Sequence, residues 1–590
     1  MADYNDRPLE VLPGLYKETS GYAARGRYVD GNNVRFWKGY PERIGGWDNL
    51  VAAGTLASTI TVTVASPAVV SWTAHRLVAG QPIVFTTTGA LPTGITAGTT
   101  YYVIAAGIAT DTFRFSATLA GAAVNTSGTQ SGVHTATASA APARGAVAWK
   151  TLANVQYAGY GTAHGLFLMQ GGNIINITPA TGFTLGNING ATTFGWGDST
   201  WGNSVYGGAE TIYTTTSVPL VWTLANWGED LVACPRGQGI FSWDASTGTG
   251  TTSALISGAP TSANGLFVSD VNRTLVLYGA HDGSALDPLL IRWSNQEDFA
   301  TWTPSALNTA GDIRCEDGNE IVGAIPARDG HLICTDTATY IFRYVGGTFV
   351  FSLNKISTGP SMISPHAGVQ DSLGVTFWMG PRSFYAYDGT VIPLPCDVHG
   401  DVFDNINIGQ RFKVYCGTIK EFNEVIWFYC RVGSDEINAC VAYNTIEKTW
   451  WQGNVSRTSW VDKSVVVDYP MGWASTGMIY AHEYNDTDDG SPIPYLLETA
   501  DIDTGDGMFQ HQRKFIPDYE RITGTHTITI VNKGYPNRAE TTSGPYSVTS
   551  ATTQLSVRGR GREIRIRYEG SDDFRMGKPQ IRARPHGAKS

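Results

Sequence analysis

Ten of the residues from Arg558 to Ser590 are Lys or Arg and four are Asp or Glu, a local charge of +6 in a chain of net charge −10, which leaves −16 on the other 557 residues. Such asymmetry speaks of partners rather than of fold. It makes Arg558, Arg560, Arg562, Arg565, Arg567, Arg575, Arg582 and Arg584 candidates for an interface. The plain alternative is that outward arginines keep an exposed strand edge soluble and unpaired. Within this stretch RGRGRE (558 to 563) is the one Gly-rich basic segment, but it lacks the strand-to-helix context and the Lys-Ser/Thr of a nucleotide loop, so it reads as a tight turn. A second mixture, VRFWKGYPER (34 to 43), interleaves Arg35, Phe36, Trp37 and Lys38. It would suit base stacking or a subunit contact, and the acidic chain around it favours the contact.

Other chemistry is weakly signalled. NDTDDG (485 to 490) and DIDTGDG (501 to 507) have the acidic look of calcium loops. In the first, Asn485, Asp489 and Gly490 stand at positions 1, 5 and 6, but Thr487 and Leu496 occupy positions 3 and 12, so solvated hairpin turns are expected. Eleven histidines form no H-E-x-x-H, and no G-x-S-x-G elbow is present. The nearest approach to a sialidase turn, SNQEDFATW (294 to 302), has no Gly and occurs once. Carboxylates for glycan cleavage could still be assembled from distant segments, which spacing does not reveal. The expectation is a protein that is not an enzyme and holds neither cofactor nor metal.

These residues sit in a chain that repeats one local pattern: a β-branched or aromatic run, a Gly- or Asx-marked turn, and a second run. It is spelled LFLMQGGNIINI (166 to 177), LVACPRGQGIFSW (231 to 243), LICTDTATYIFRY (332 to 344), VTFWMGPRSFYAY (375 to 387) and EVIWFYC…NACVAYN (424 to 444), with GLFVSDVNRTLVLYG and LLIRWS in the longest gap. Each is a hairpin signal. A degenerate period of roughly 40 to 50 residues is that of a four-stranded propeller blade, so the fold class expected is all-β, a β-propeller of about six or seven blades.

The propeller is assigned to 142–500, with a poorly patterned Gly/Thr/Trp stretch at 181–215 as an inter-blade excursion. Residues 55–141 carry only three charges, Arg76, Asp111 and Arg114, and alternate cleanly, which marks an inserted small β-module. The arm 1–54 is expected to join the first blade or an interface. The segment 501–590 reads as a β-sandwich-like domain, with His526, Ile528 and Ile530 on one face of a strand and Ile564, Ile566 and Tyr568 on one face of another.

No apolar run reaches the roughly 18 residues of a membrane span. The start, MADYNDRPLEVLPG, has no basic and apolar leader, so a cytoplasmic origin is expected. Seven cysteines, at 234, 315, 334, 396, 416, 430 and 440, lie mostly in apolar runs as structural thiols, with a Cys430–Cys440 bridge the one pairing the spacing suggests.

The stretches NNVRFWKGYPERIGGW, IRWSNQEDFATWTPSALNTAGDI (291 to 313), VTFWMGPRSFYAYDG and RGRGREIRIRYEG…FRMGKPQIRARPHG resemble the tail nozzle (tail-tube, packaged-DNA-stabilisation) proteins of short-tailed, podovirus-type bacteriophages. The resemblance spans roughly 27 to 50 and 230 to 590. It implies a structural virion protein of the tail, made in the host cytoplasm, that forms a homohexameric ring below the portal and its adaptor ring. Such a ring retains packaged double-stranded DNA, conducts it during ejection without reading its sequence, and can carry tail fibres. The basic end would then dock on an acidic neighbouring ring. The competing reading is a receptor-binding or glycan-degrading propeller at the tail tip.

Overall fold

In the computed structural model, which describes residues 5–21, 23–51, 54–138, 141–190, 218–347, 349–503, 508–535 and 538–585, four antiparallel strands at a time make up a repeated sheet. Six such sheets and a seventh of six strands form a β-propeller. Their inner strands are Ala143–Lys150, Trp222–Trp227, Ala263–Ser269, Ile321–Ala327, Gly368–Gln370, Tyr415–Ile419 and Ser459–Val461. Each touches the next, and the seventh touches the first, so the circle is closed. The inner positions are crowded. A Cβ on Gly161 would strike the Trp222 indole of the next blade, and one on Gly417 would strike Trp460, so glycine lets large aromatics pack across the blade seams.

The expected hairpins are all present in this circle. Those beginning at Leu231, Leu332, Thr376 and Glu424 are the second and third strands of blades two, four, five and six, and Gly165–Gln170 with Asn173–Asn176 are the third and fourth strands of blade one. Most of the long gap before Trp222, residues 191–217, lies outside the described residues.

The N-terminal arm is shared among several sheets. It does not enter the first blade. Trp47–Asn49 pairs with Ile479–His482 as the fourth strand of blade seven, with the short hairpin Thr487–Asp488 and Ser491–Pro492 beyond it, locking the circle with residues from the far end of the chain. Arg457 is buried at this joint between the rings of Trp47 (4.9 Å) and Tyr480 (4.7 Å), its Nε 2.7 Å from His482 Nε2. The earlier strands of the arm belong to the C-terminal sheets. Asn5–Pro8 edges a sheet with Gln580–Pro585, Gln510–Ile516 and Leu555–Gly561. Tyr28–Asn32 edges a second with Tyr495–Thr499, Glu563–Gly570, His526–Lys533 and Thr541–Val548. Val34–Trp37 and Tyr40–Arg43 join Phe574–Met576 and Tyr519–Ile522 in a third. The expected inward faces hold: Ile528, Ile530, Ile564, Ile566 and Tyr568 are all buried. One hydrophobic cluster runs from these sheets into blades four, five and six.

Residues 56–138 close a six-stranded barrel with its own core of Phe85, Tyr101, Phe113 and Phe115. Arg76 fastens it to the propeller, donating from Nη1 to the Asn176 carbonyl (2.6 Å) and from Nη2 to that of Gly250 (2.5 Å). All seven cysteines are free thiols, Cys430 and Cys440 included.

Candidate functional site

Arg35, Phe36, Trp37 and Lys38 lie on and just beyond the strand Val34–Trp37, and burial withdraws the first two, Arg35 and Phe36, from a surface contact. Arg35 and Phe36 are buried within the single chain. Arg35 donates from Nη1 and Nη2 to the two oxygens of Glu483 (2.9 and 2.5 Å), and its Nε faces Glu424 Oε2 at 3.5 Å. The Phe422 ring lies 3.8 Å from its guanidinium carbon, and Trp37 meets the same ring edge-on. Lys38 is exposed, and its backbone N–H is held by the Glu447 carboxylate. These side chains therefore weld the C-terminal sheets to blades six and seven. Burial pushes the Glu424 carboxyl up to about 7 against the pull of Arg35, while Trp451 donates to its other oxygen at 2.8 Å.

The C-terminal arginines divide into two sets. Arg565 pairs with Glu498 and Glu540, Arg567 with Glu498 and Glu569, and Arg575 with Glu42 and Glu520. The charge of Arg565 and Arg567 is thus matched within the chain. Arg562 lies against the Tyr535 ring. Arg558 and Arg560 are exposed on the strand Leu555–Gly561, and Arg582 and Arg584 stand on Gln580–Pro585, two strands away in the same sheet. Asp6 pairs with Arg582.

A site that no local motif announces lies over the propeller axis. A cavity of about 910 Å³ is lined by residues at or beside strands of blades two to four and by the segments that lead into blades five and six, among them Arg236, Asn264, Glu320, Ser361 and Phe412. Such a volume lies in the range of ordinary ligand pockets. Arg236 Nη2 donates to Glu320 Oε2 at 2.7 Å, and the guanidiniums of Arg236 and Arg411 stand 5.2 and 5.3 Å from the Phe412 ring centre. Asn264 and Ser361 are each 6% exposed, and among the described residues neither side chain has a hydrogen-bond partner. Both therefore present donors and acceptors to whatever enters. The remaining wall is aliphatic, including Leu220, Val322, Met362 and Ile363. Glu320 and Asp336 are its carboxylates, and Asp336 is held by the backbone and side-chain N–H groups of Asn319.

The NDTDDG segment forms the expected turn, with the Thr487 N–H donating to Asn485 Oδ1 at 2.9 Å. Residues 504–507 of DIDTGDG lie outside the described residues. Among the described residues no group of three or more His, Cys, Asp or Glu could hold a metal ion, and no helix is long and apolar enough to cross a membrane.

No family model matches the chain, and no curated protein matches it. Solved structures similar to it include a fungal alcohol oxidase of the AA5 family in complex with copper, at 10% identity and a TM-score of 0.35, covering 74% of this chain and 90% of that one. An exo-β-1,3-galactanase from Phanerochaete chrysosporium is similar at 9% identity and a TM-score of 0.20, covering 61% of this chain and 94% of that one. AztD from Citrobacter koseri is similar at 9% identity and a TM-score of 0.29, covering 84% and 100%. The oxidase and the galactanase are enzymes, so the expectation of a chain that is not an enzyme is corrected and is not retained. Likeness at this level carries no activity, substrate or metal across to this chain.

Proposed function

We propose that the chain is a ring-forming structural subunit of a short-tailed phage's tail nozzle, which retains packaged DNA and conducts it during ejection. The observation that carries the reading is the path of residues 27–47, where the resemblance to nozzle proteins begins. This stretch supplies edge strands to the second and third C-terminal sheets and the locking strand of blade seven, and Arg35 ties it to blades six and seven. A subunit stitched at both ends resists the shear of a moving polymer better than domains on a linker do. Charge supports the same reading: six copies would carry about −60, which disfavours sideways adhesion of DNA.

The test is a reconstruction of the intact particle. Six copies of this chain around the tail axis are expected, and a threefold or monomeric arrangement at the tail tip would refute the reading.

A second reading, a receptor-binding or glycan-degrading propeller, has one observation of its own: the axial cavity with the Asn264 amide and Ser361 hydroxyl, which have no hydrogen-bond partner among the described residues. Glycan-array binding that is lost in the Asn264→Leu variant is the result that would favour it.

A further inference from the structure

We infer that Lys413 and Asn189 become joined by an isopeptide bond, formed within the chain with loss of ammonia and with Glu436 as the proton acceptor. The inference goes beyond the reading above and does not depend on it. Lys413 ends the short 3-10 helix Ile408–Lys413 that leads into blade six, and its side chain is 0% exposed. Its Nζ donates to Asn189 Oδ1 at 2.7 Å and to the Asp435 carbonyl, and stands 3.7 Å from Glu436 Oε2. The amide carbon of Asn189 is one carbonyl bond beyond Oδ1, so it lies within about 4 Å of Nζ. A small turn of the Asn189 side chain brings the two atoms to the roughly 3 to 3.5 Å of a reacting pair.

The backbone around Asn189 is held for this approach. Gln410, on the same short helix as Lys413, accepts the Gly190 N–H at Oε1 (2.9 Å) and donates from Nε2 to the Gly190 carbonyl (3.3 Å). The clamp keeps Asn189 beside Lys413. It also occupies the Gly190 N–H, the nearest competing nucleophile for the Asn189 amide. A Cβ on Gly190 would stand 2.2 Å from the Gly409 carbonyl oxygen, so glycine is what lets the two segments meet this closely.

Burial, and after it the charge of Arg144, lowers the Lys413 ammonium below its ordinary value, which favours the free amine that attacks. Burial would raise the Glu436 carboxyl, but Arg144 donates to its Oε2 at 2.5 Å and holds it below the ordinary value, so it stands ionised to take a proton. Glu436 takes one proton from the ammonium, and the freed lone pair of Nζ forms the bond to Cγ of Asn189. A second Nζ proton passes to the amide nitrogen, and the Cγ–Nδ2 bond breaks with its electron pair on that nitrogen. Ammonia leaves and carries off the proton held by Glu436, which returns to the carboxylate. Glu436, shared until then between two buried cations, is left with Arg144 alone. The new bond ties the connection between blades one and two to the entry of blade six.

The experiment is the mass of the purified full chain under denaturing conditions, followed by tryptic digestion. The expected mass is about 17 Da below that of the sequence, and the digest should contain a branched peptide in which Lys413, uncleaved, is joined to Asn189. Asn189 is exposed, so the Asn189→Ala variant should fold, show its full sequence mass and release a linear peptide ending at Lys413. Wild-type chain at full mass with only linear peptides overturns the inference. So does the same shortfall with only linear peptides, which would place a succinimide at Asn189–Gly190 instead. A shortfall that persists in Asn189→Ala puts the reaction at another residue and also overturns it.

Discussion

A carboxylate that is fully buried beside a guanidinium serves as a reporter of the joint it sits in. Glu424 belongs to blade six, Glu483 follows the third strand of blade seven, and Arg35 reaches both from the C-terminal sheets. Because burial raises the Glu424 carboxyl to about 7, the folded chain binds a proton there more tightly than the unfolded chain, whose carboxyl titrates near 4.5. That contribution to stability is full below pH 4.5 and is lost as the pH rises through about 7. The Glu424→Gln variant keeps the shape of the site and removes the titration. Its melting temperature is expected to fall less than that of the wild type between pH 5 and 7.5, the difference reaching on the order of 3 kcal/mol for a shift of this size. Parallel melting curves of the two proteins across that range would show that Glu424 is not the titrating group. The sequence offers no sign of this cluster, because Arg35 and Glu424 are drawn together across several hundred residues. Read locally, VRFWKGYPER looked like a surface mixture of aromatic and basic side chains.

At the scale of the strand and the blade, the aromatic residues bear the seams. Trp293 in blade three packs on Phe342 (6.0 Å) and Phe351 (5.2 Å) of blade four, and Trp302 is buried in the cluster that joins blades two and three. Their indole N–H groups donate to the carbonyls of Thr309 (2.8 Å) and Phe299 (2.7 Å). Trp293→Ala and Trp302→Ala should each cost about 3 to 5 kcal/mol in denaturant unfolding. A loss under about 1 kcal/mol would mean that the seam is not held there. Such hairpins were legible because apolar alternation and Gly or Asx turns are local signals. Blade one was harder to read, since its first two strands, ARGAVAWK and QYAGYGT, are rich in Gly and Ala to fit beneath their neighbours' indoles. The locking strand was not legible at all: Trp47–Asn49 is three residues long, and its partner lies in Ile479–His482. The axial cavity escaped for a similar reason, because Arg236, Asn264, Glu320, Ser361 and Phe412 lie on or lead into five blades and share no spacing.

For the whole molecule, the two ends of the chain decide what folds with what. The barrel 56–138 has a core of its own, whereas the C-terminal sheets share one cluster with blades four to six and take four edge strands or hairpin partners from the arm. Unfolding should therefore show the barrel as one cooperative unit, with the propeller and C-terminal sheets together as another. Removing residues 1–50 tests this most sharply. It strips the fourth strand from blade seven, Arg35 from its two carboxylates, and edge strands from the C-terminal sheets, leaving Glu424 buried without a cation. Scanning calorimetry of the truncated chain is expected to retain the barrel transition and lose the larger one. A synthetic peptide of residues 27–50 added in trans should recover part of that loss, since it carries both the locking strand and Arg35. If the truncated chain keeps the larger transition at its original temperature, the arm is an ornament on a propeller that closes without it, and the argument for a subunit stitched to bear load loses its structural basis.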